Sequence, residues 1–175
     1  MAQAVEDKKA GPEKTEIGEQ LAGKYLTFKL AEEEYGLEIL KVQEIIQMQA
    51  VTKVPRTPDY VRGVINLRGK VIPVVDLRKK FTLDATKDTE KTCIIVVQIA
   101  HADSKVTMGI IIDEVKEVLD IKGENIEETP SFGSSIDTEF ILGMGKIGSS
   151  VKILLDIDKV MSIQDINAVK NAVRT

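Results

Sequence analysis

Val61-Arg-Gly-Val-Ile-Asn66-Leu-Arg-Gly-Lys70-Val-Ile-Pro-Val-Val75-Asp-Leu-Arg78 consists of two apolar, β-branched runs around a polar reversal. Val64-Ile65 and Val71–Val75 have strand composition, and Gly69 can take the positive φ that a tight turn between them demands. The stretch reads as a β-hairpin. Both arms are too apolar to face water, so a core holds them, whereas Asn66, Arg68 and Lys70 at the tip must point outward. A rigid hairpin with a polar, cationic tip is a device for presenting a binding residue.

Upstream, Tyr25–Leu30 and Tyr35–Ile39 have strand composition and flank the acidic turn Ala31–Glu34, which gives a first hairpin. Apolar positions 39, 42, 45 and 46 have helical spacing over too short a stretch for a helix, so a turn or a single helical turn leading into a strand is expected. Val51–Val54 reads as another strand, closed by Pro55 and Pro58.

The second half repeats this plan. Tyr35-Gly36-Leu37-Glu38-Ile39, Val42 and Glu44-Ile45 recur 73 residues later as Met108-Gly109-Ile110-Ile111-Ile112, Val115 and Glu117-Val118. Tyr60-Val61, Gly63, Val71 and Val74-Val75-Asp76-Leu77 recur 80 residues later as Phe140-Ile141, Gly143, Val151 and Leu154-Leu155-Asp156-Ile157, so the second copy's middle loop is seven residues longer. Two copies of a five-strand unit predict a mainly β protein of two five-stranded barrels in tandem, at about 21–85 and 90–157, since closure removes exposed edges. Residues 1–20 have almost no large apolar side chains and read as a disordered tail. Residues 158–175 read as a C-terminal helix capped at Ser162, whose stripe of Ile163, Ile166, Val169 and Val173 packs on the barrels.

Composition narrows the function. Of the 175 residues, 43% are apolar but only 4% aromatic, with no tryptophan, so the core is built of Val, Ile and Leu, which favours strands over a helical bundle. A net charge of −4 without clustered Lys and Arg argues against nucleic acid. The single cysteine, Cys93, lies in an apolar strand and reads as a core thiol; the single histidine, His101, has no spaced second ligand, so no metal site is expected. No apolar run has the length of a membrane span, and a soluble, cytoplasmic protein with no membrane insertion is expected.

Catalytic motifs are thin. Gly143–Gly148 matches the dinucleotide fingerprint literally, but a strand rather than a helix follows it, and the segment duplicates the first hairpin. Asp76 and Asp156 occupy equivalent strand ends, which suits a shared capping role better than an acid pair. No catalytic residues and no cofactor are assigned. Comparison of the copies is more informative, because fold requirements recur in both and special tasks in one. Where the first copy has Asn66-Leu67-Arg68-Gly69, the second has Lys146-Ile147-Gly148-Ser149, so the Asn/Arg tip is particular to the first. The Arg68 fork of donors suits carboxylates or carbonyls at an interface. Phe132, in the long second-copy loop, is hard to bury without a partner or a local mini-core.

Glu34–Ile45, Gly63–Gly69 and Val74–Arg78 together resemble the CheW family of bacterial chemotaxis coupling proteins, and the likeness extends from about Lys24 into the C-terminal helix. The resemblance implies SH3-like barrels and a non-enzymatic adaptor joining the cytoplasmic tip of methyl-accepting chemotaxis receptors to the regulatory domain of the histidine kinase CheA. It also implies recruitment to receptor arrays at the inner face of the membrane. By matching positions, Arg68, Asn66, Glu44 and Val42 are implied for the receptor, with Glu44 orienting Arg68. Val51, Arg62 and Val71 are implied for the kinase on the first barrel, and Phe132 on the second. Three rivals stand beside this reading: a polyproline-reading SH3-type module, for which aromatics are too few; a nucleotide enzyme built on Gly143–Gly148; and a purely structural duplicate.

Overall fold

The computed structural model describes residues 17–101, 103–130, 139–161, 165 and 167. Within them the chain is mainly β: β1 (Gly23–Leu30), β2 (Glu33–Glu38), β3 (Val42–Gln47), β4 (Val61–Leu67), β5 (Lys70–Asp76), β6 (Cys93–His101), β7 (Ser104–Ile112), β8 (Glu114–Ile121), β9 (Ile126–Glu127), β10 (Ile141–Ile147) and β11 (Ser150–Leu155). The helical pieces are short: a turn at residues 17–21 (α1), α2 (Leu77–Lys80), α3 (Ile157–Val160) and the 3₁₀ turns Ile39–Lys41 and Gly123–Asn125, and Asp165 and Asn167 are also helical. The first 3₁₀ turn runs directly into β3, as the short helical spacing predicts.

The strands form two sheets, in the orders β8-β1-β2-β11-β10-β9 and β3-β6-β7-β5-β4. This differs from the expected split at about residue 85–90. Each half of the chain lends its first hairpin to the sheet built by the other: β1–β2 joins β8–β11, and β6–β7 joins β3–β5. The exchange rests on two parallel contacts. Gly36 pairs with Leu154 between β2 and β11, and Gly109 pairs with Val74 between β7 and β5, so the 73- and 80-residue offsets reappear as equivalent pairs. Both glycines admit a neighbouring side chain: a Cβ on Gly109 would lie 2.6 Å from Ile94 Cγ2, and one on Gly36 3.0 Å from Leu154 Cδ2.

The sheets are not the closed five-stranded barrels expected; one has six strands, one five, and both are open. Each nevertheless curls until chain beyond one edge strand meets the other edge. Thr52, past β3, exchanges both backbone hydrogen bonds with Val64 of β4 at 2.9 and 2.8 Å, and β9, past β8, pairs with β10. The predicted Val51–Val54 strand thus shrinks to a single bridge at Thr52. Pro55 and Pro58 offer no backbone donors to extend it.

The main core lies between the sheets, where Leu26, Phe28 and Leu37 of one meet Ile95, Val97 and Met108 of the other. Phe28, Tyr35, Phe81 and Phe140 form an aromatic row there, with centroids 5.8, 6.0 and 4.9 Å apart. A second cluster (Ile65, Ile72, Val74, Ile94, Val96, Ile111) belongs to the five-stranded sheet and a third (Tyr25, Ile121, Ile126, Leu154) to the six-stranded sheet. Val74 and Val75 therefore bury on opposite sides, as do Leu154 and Leu155. Burial on both faces explains why these strands read as unbroken apolar runs rather than alternating ones.

Two ionic brackets tie the sheets together. Asp113, between β7 and β8, accepts from Arg78 Nε at 2.8 Å, Arg78 Nη2 at 2.6 Å and Ala31 N at 2.8 Å. Asp158, on α3, accepts from Lys41 Nζ at 2.7 Å and Ala100 N at 2.9 Å. The predicted tail boundary also moves, because α1 is ordered by a close backbone approach. A Cβ on Gly18 would sit 2.2 Å from Gly123 O, Leu21 packs on the third cluster, and Leu21 O accepts from Tyr25 Oη at 2.6 Å. That burial, with the nearby Glu38 charge, pushes the Tyr25 phenol up to about 12. Residues 1–16, most of the predicted helix at 158–175 with its Ser162 cap, and Phe132 lie outside the described residues.

Candidate functional site

The central hairpin is β4–β5. Leu67 pairs with Lys70, which leaves Arg68 and Gly69 as the two turn residues, at φ of 51° and 86°. Positive φ at both positions matches the right-handed twist of the flanking strands. Gly69 adopts it freely; Arg68 does so against a side-chain cost. Asn66 Oδ1 accepts from Gly69 N at 2.7 Å, so the Asn66 carbonyl serves the turn itself.

The Arg68 side chain, 70% exposed, reaches back to β3 and forks onto Glu44: Nη1 to Oε1 at 3.0 Å, and Nη2 to Oε2. The hydrogen bond from Arg68 holds the Glu44 carboxyl below its usual range, and Glu44 in turn raises the Arg68 guanidinium. A bidentate pair fixes the plane of the guanidinium on a side chain that stays largely exposed. Large apolar side chains are exposed on the same strand and hairpin. Ile45, next to Glu44, is 44% exposed, and Val71, the cross-strand partner of Asn66, is 47% exposed.

Seven of the eight sequence-nominated residues sit on two segments, 42–51 and 62–71, and the structure brings some of them together in pairs. Glu44 and Arg68 touch. Asn66 and Val71 are directly opposed across the ladder. Val51 lies against β4, where a Cβ on Gly63 would come within 2.8 Å of its Cγ1. Val42 and Val51 are partly buried, on the main and second clusters respectively. Arg62 is held by two carboxylates, Asp76 and Asp88, each at 3.0 Å.

In the first copy, two exposed apolar residues escaped the sequence reading. Leu40, in the 3₁₀ turn before β3, is 95% exposed, and Ile45 lies in the strand itself. The signal for the second was available: adjacent apolar residues Ile45-Ile46 in a strand must point to opposite faces. Asp76 and Asp156 are the caps anticipated. Asp76 accepts from Lys79 N at 3.4 Å and Asp156 from Asp158 N at 3.1 Å. The Gly143–Gly148 stretch forms β10 and a hairpin turn into β11, without the following helix that phosphate binding requires. Burial raises the Cys93 thiol, against a smaller opposing effect from the Val115 backbone.

The chain that folds into this Arg-tipped hairpin, braced by a strand of a duplicated two-sheet fold, matches the family model for the CheW-like domain over residues 24–165. The chain belongs to the CheW family. It is 38% identical over 158 residues to the chemotaxis protein CheW of Klebsiella aerogenes, covering 90% of this chain and 93% of that one. The chemotaxis protein CheV3 of Helicobacter pylori is 32% identical over 143 residues, 79% of this chain but 44% of that longer one. Among solved structures, the scaffolding protein TtCheW of Thermoanaerobacter tengcongensis superposes with a TM-score of 0.72 at 36% identity, covering 83% of this chain and 96% of that one. The CheW family is one of chemotaxis scaffolds, and this chain is an adaptor of that kind. Among the described residues, no helix is long and apolar enough to cross a membrane and no cluster of His, Cys, Asp and Glu is placed to hold a metal.

Proposed function

We propose that this adaptor joins the cytoplasmic tip of methyl-accepting chemotaxis receptors to the regulatory domain of the histidine kinase CheA, with no chemistry of its own. Membrane association is then indirect, through the receptors. The observation that carries the reading is the Arg68–Glu44 pair, a charged fork fixed at an exposed hairpin tip, with Ile45 exposed on the strand that carries Glu44 and Val71 exposed on the hairpin that carries Arg68. A small interface with one oriented charge and a few exposed apolar residues gives specific, reversible binding.

The receptor face comprises Arg68, Asn66, Glu44 and Val42; the kinase face comprises Val51, Arg62 and Val71, with Phe132 on the second copy. Asn66 and Val71 are cross-strand partners, so the two faces adjoin on one hairpin. An adaptor transmits a signal only where receptor states differ in how they place it against the kinase. Adjoining faces on a hairpin whose arms are locked in the core give that difference a short, stiff route.

Calorimetric titration of a receptor cytoplasmic-tip fragment into the wild type and Arg68→Ala tests the reading. About tenfold weaker binding by a variant with an unchanged circular dichroism spectrum is expected. Equal binding removes Arg68 from the receptor face. Failure of the wild type to bind both the receptor fragment and the kinase regulatory domain overturns the assignment of partners.

A further inference from the structure

Arg62 is the extra residue of a β-bulge between Val61 and Gly63, and bulges re-aim side chains. The same bulge recurs between Ile141 and Gly143, where the equivalent residue is Leu142, packed on the third cluster. The fold therefore needs the bulge but not an arginine in it. Asp76 does not require Arg62 either, since its counterpart Asp156 caps its helix with no arginine at the equivalent bulge. Arg62 thus has the mark of a residue kept for a particular task in the first copy.

Its guanidinium meets two acids of different kinds. Asp76 is buried at the end of β5 and binds Nη2 at 3.0 Å. Asp88 belongs to the connection from α2 to β6, where residues 84–91 are exposed throughout, and it binds Nη1 at 3.0 Å and Nη2 at 3.3 Å. The buried acid supplies one counter-charge to Arg62 from inside the fold. The second contact is an exposed ion pair from a surface connection, of the weak, displaceable kind.

We propose that Asp88 is an internal stand-in for a partner's carboxylate. The 84–91 connection masks Arg62 in the free adaptor, and an acidic side chain of the docking partner takes the place of Asp88 on the guanidinium while Asp76 keeps it oriented. The inference rests on the reading of Arg62 as part of the kinase face and deepens it: it names the partner group and a built-in competitor that limits affinity.

The test is a calorimetric titration of the CheA regulatory domain into the full-length wild type, Asp88→Ala, Arg62→Ala and the double variant, with folding of each checked by thermal melt. Asp88→Ala is expected to bind about threefold tighter than the wild type, Arg62→Ala more weakly, and Asp88→Ala to bring no gain once Arg62 is gone. If Arg62→Ala weakens binding while Asp88→Ala binds equally or more weakly, masking is overturned and the kinase face stands. If Arg62→Ala binds like the wild type, Arg62 leaves the kinase face and the masking proposal falls with it.

Discussion

The hairpins β4–β5 and β10–β11 are one design executed twice. Gly63 pairs with Val74 as Gly143 pairs with Leu154, and Leu67 with Lys70 as Ile147 with Ser150. Asp76 N donates to Tyr60 O at 2.7 Å, and Asp156 N to Phe140 O at 2.8 Å. What differs is chemistry at two points. The bulge holds Arg62 in one and Leu142 in the other, and the turn is Arg68-Gly69 in one and Gly148-Ser149 in the other, with Gly148 at φ 59°. The second hairpin spends its positive φ on a glycine; the first spends it on an arginine as well. Residues common to both hairpins therefore report on the fold, and residues confined to the first report on function.

The sharpest way to break the equivalence is at the paired glycines. A Cβ on Gly63, at φ 150°, would stand 2.1 Å from Thr52 O, whereas one on Gly143 would stand 2.8 Å from Glu127 O. Both oxygens belong to the chain that crosses back onto the hairpin, so neither can yield as a side-chain tip would. Gly63→Ala is expected to cost about 3 kcal/mol and Gly143→Ala about 1–2 kcal/mol. Urea denaturation of both variants checks the order; a larger loss at Gly143 would mean that the Thr52 crossing is the looser of the two.

Burial alone would raise the Asp113 carboxyl, but the Arg78 guanidinium and the Ala31 N–H outweigh it and hold the group below its usual range. A carboxyl lowered in the folded state contributes stability that is present above its unfolded pKa and lost as pH falls through the folded one. Asp113→Asn is therefore expected to cost about 1–3 kcal/mol at neutral pH, and its deficit against the wild type should shrink as pH is lowered through the carboxylate range. Thermal melts across that range decide it. A deficit independent of pH would assign the loss to packing rather than to the ion pair.

How much of this was written in the sequence follows from how local each feature is. The hairpin, its Gly69 turn, the helical turn before β3 and the capping aspartates depend on neighbours within a few residues, so composition and spacing expose them. The internal repeat was legible because equivalent positions face equivalent surroundings. The exchange of β1–β2 and β6–β7 between sheets was not, since Gly36 suits close contact with Leu154 or with any other strand equally well; the choice is made by three-dimensional closure. Likewise, nothing near Thr52 says that one bridge to Val64 would replace a strand. At the site, the resemblance named Arg68 with Glu44, but the pairing of Arg62 with Asp88, 26 residues away, arises only when the α2–β6 connection folds over β4.

The finest test separates the fold's claim on Arg68 from the function's. At φ 51° Arg68 occupies backbone space that asparagine tolerates better, and a two-residue turn with both φ positive favours Asn-Gly. Arg68→Asn gives up an exposed ion pair with Glu44, which contributes little to stability, and gains a residue suited to the turn. The two effects oppose each other, so the denaturation midpoint should stay close to that of the wild type. Receptor-fragment binding should nevertheless fall by about as much as in Arg68→Ala, because no amide can reproduce a fork clamped on Glu44. A variant that folds as well and binds worse shows that the strained arginine is held for its partner. A variant that loses stability instead shows that the Glu44 clamp is part of what closes the five-stranded sheet.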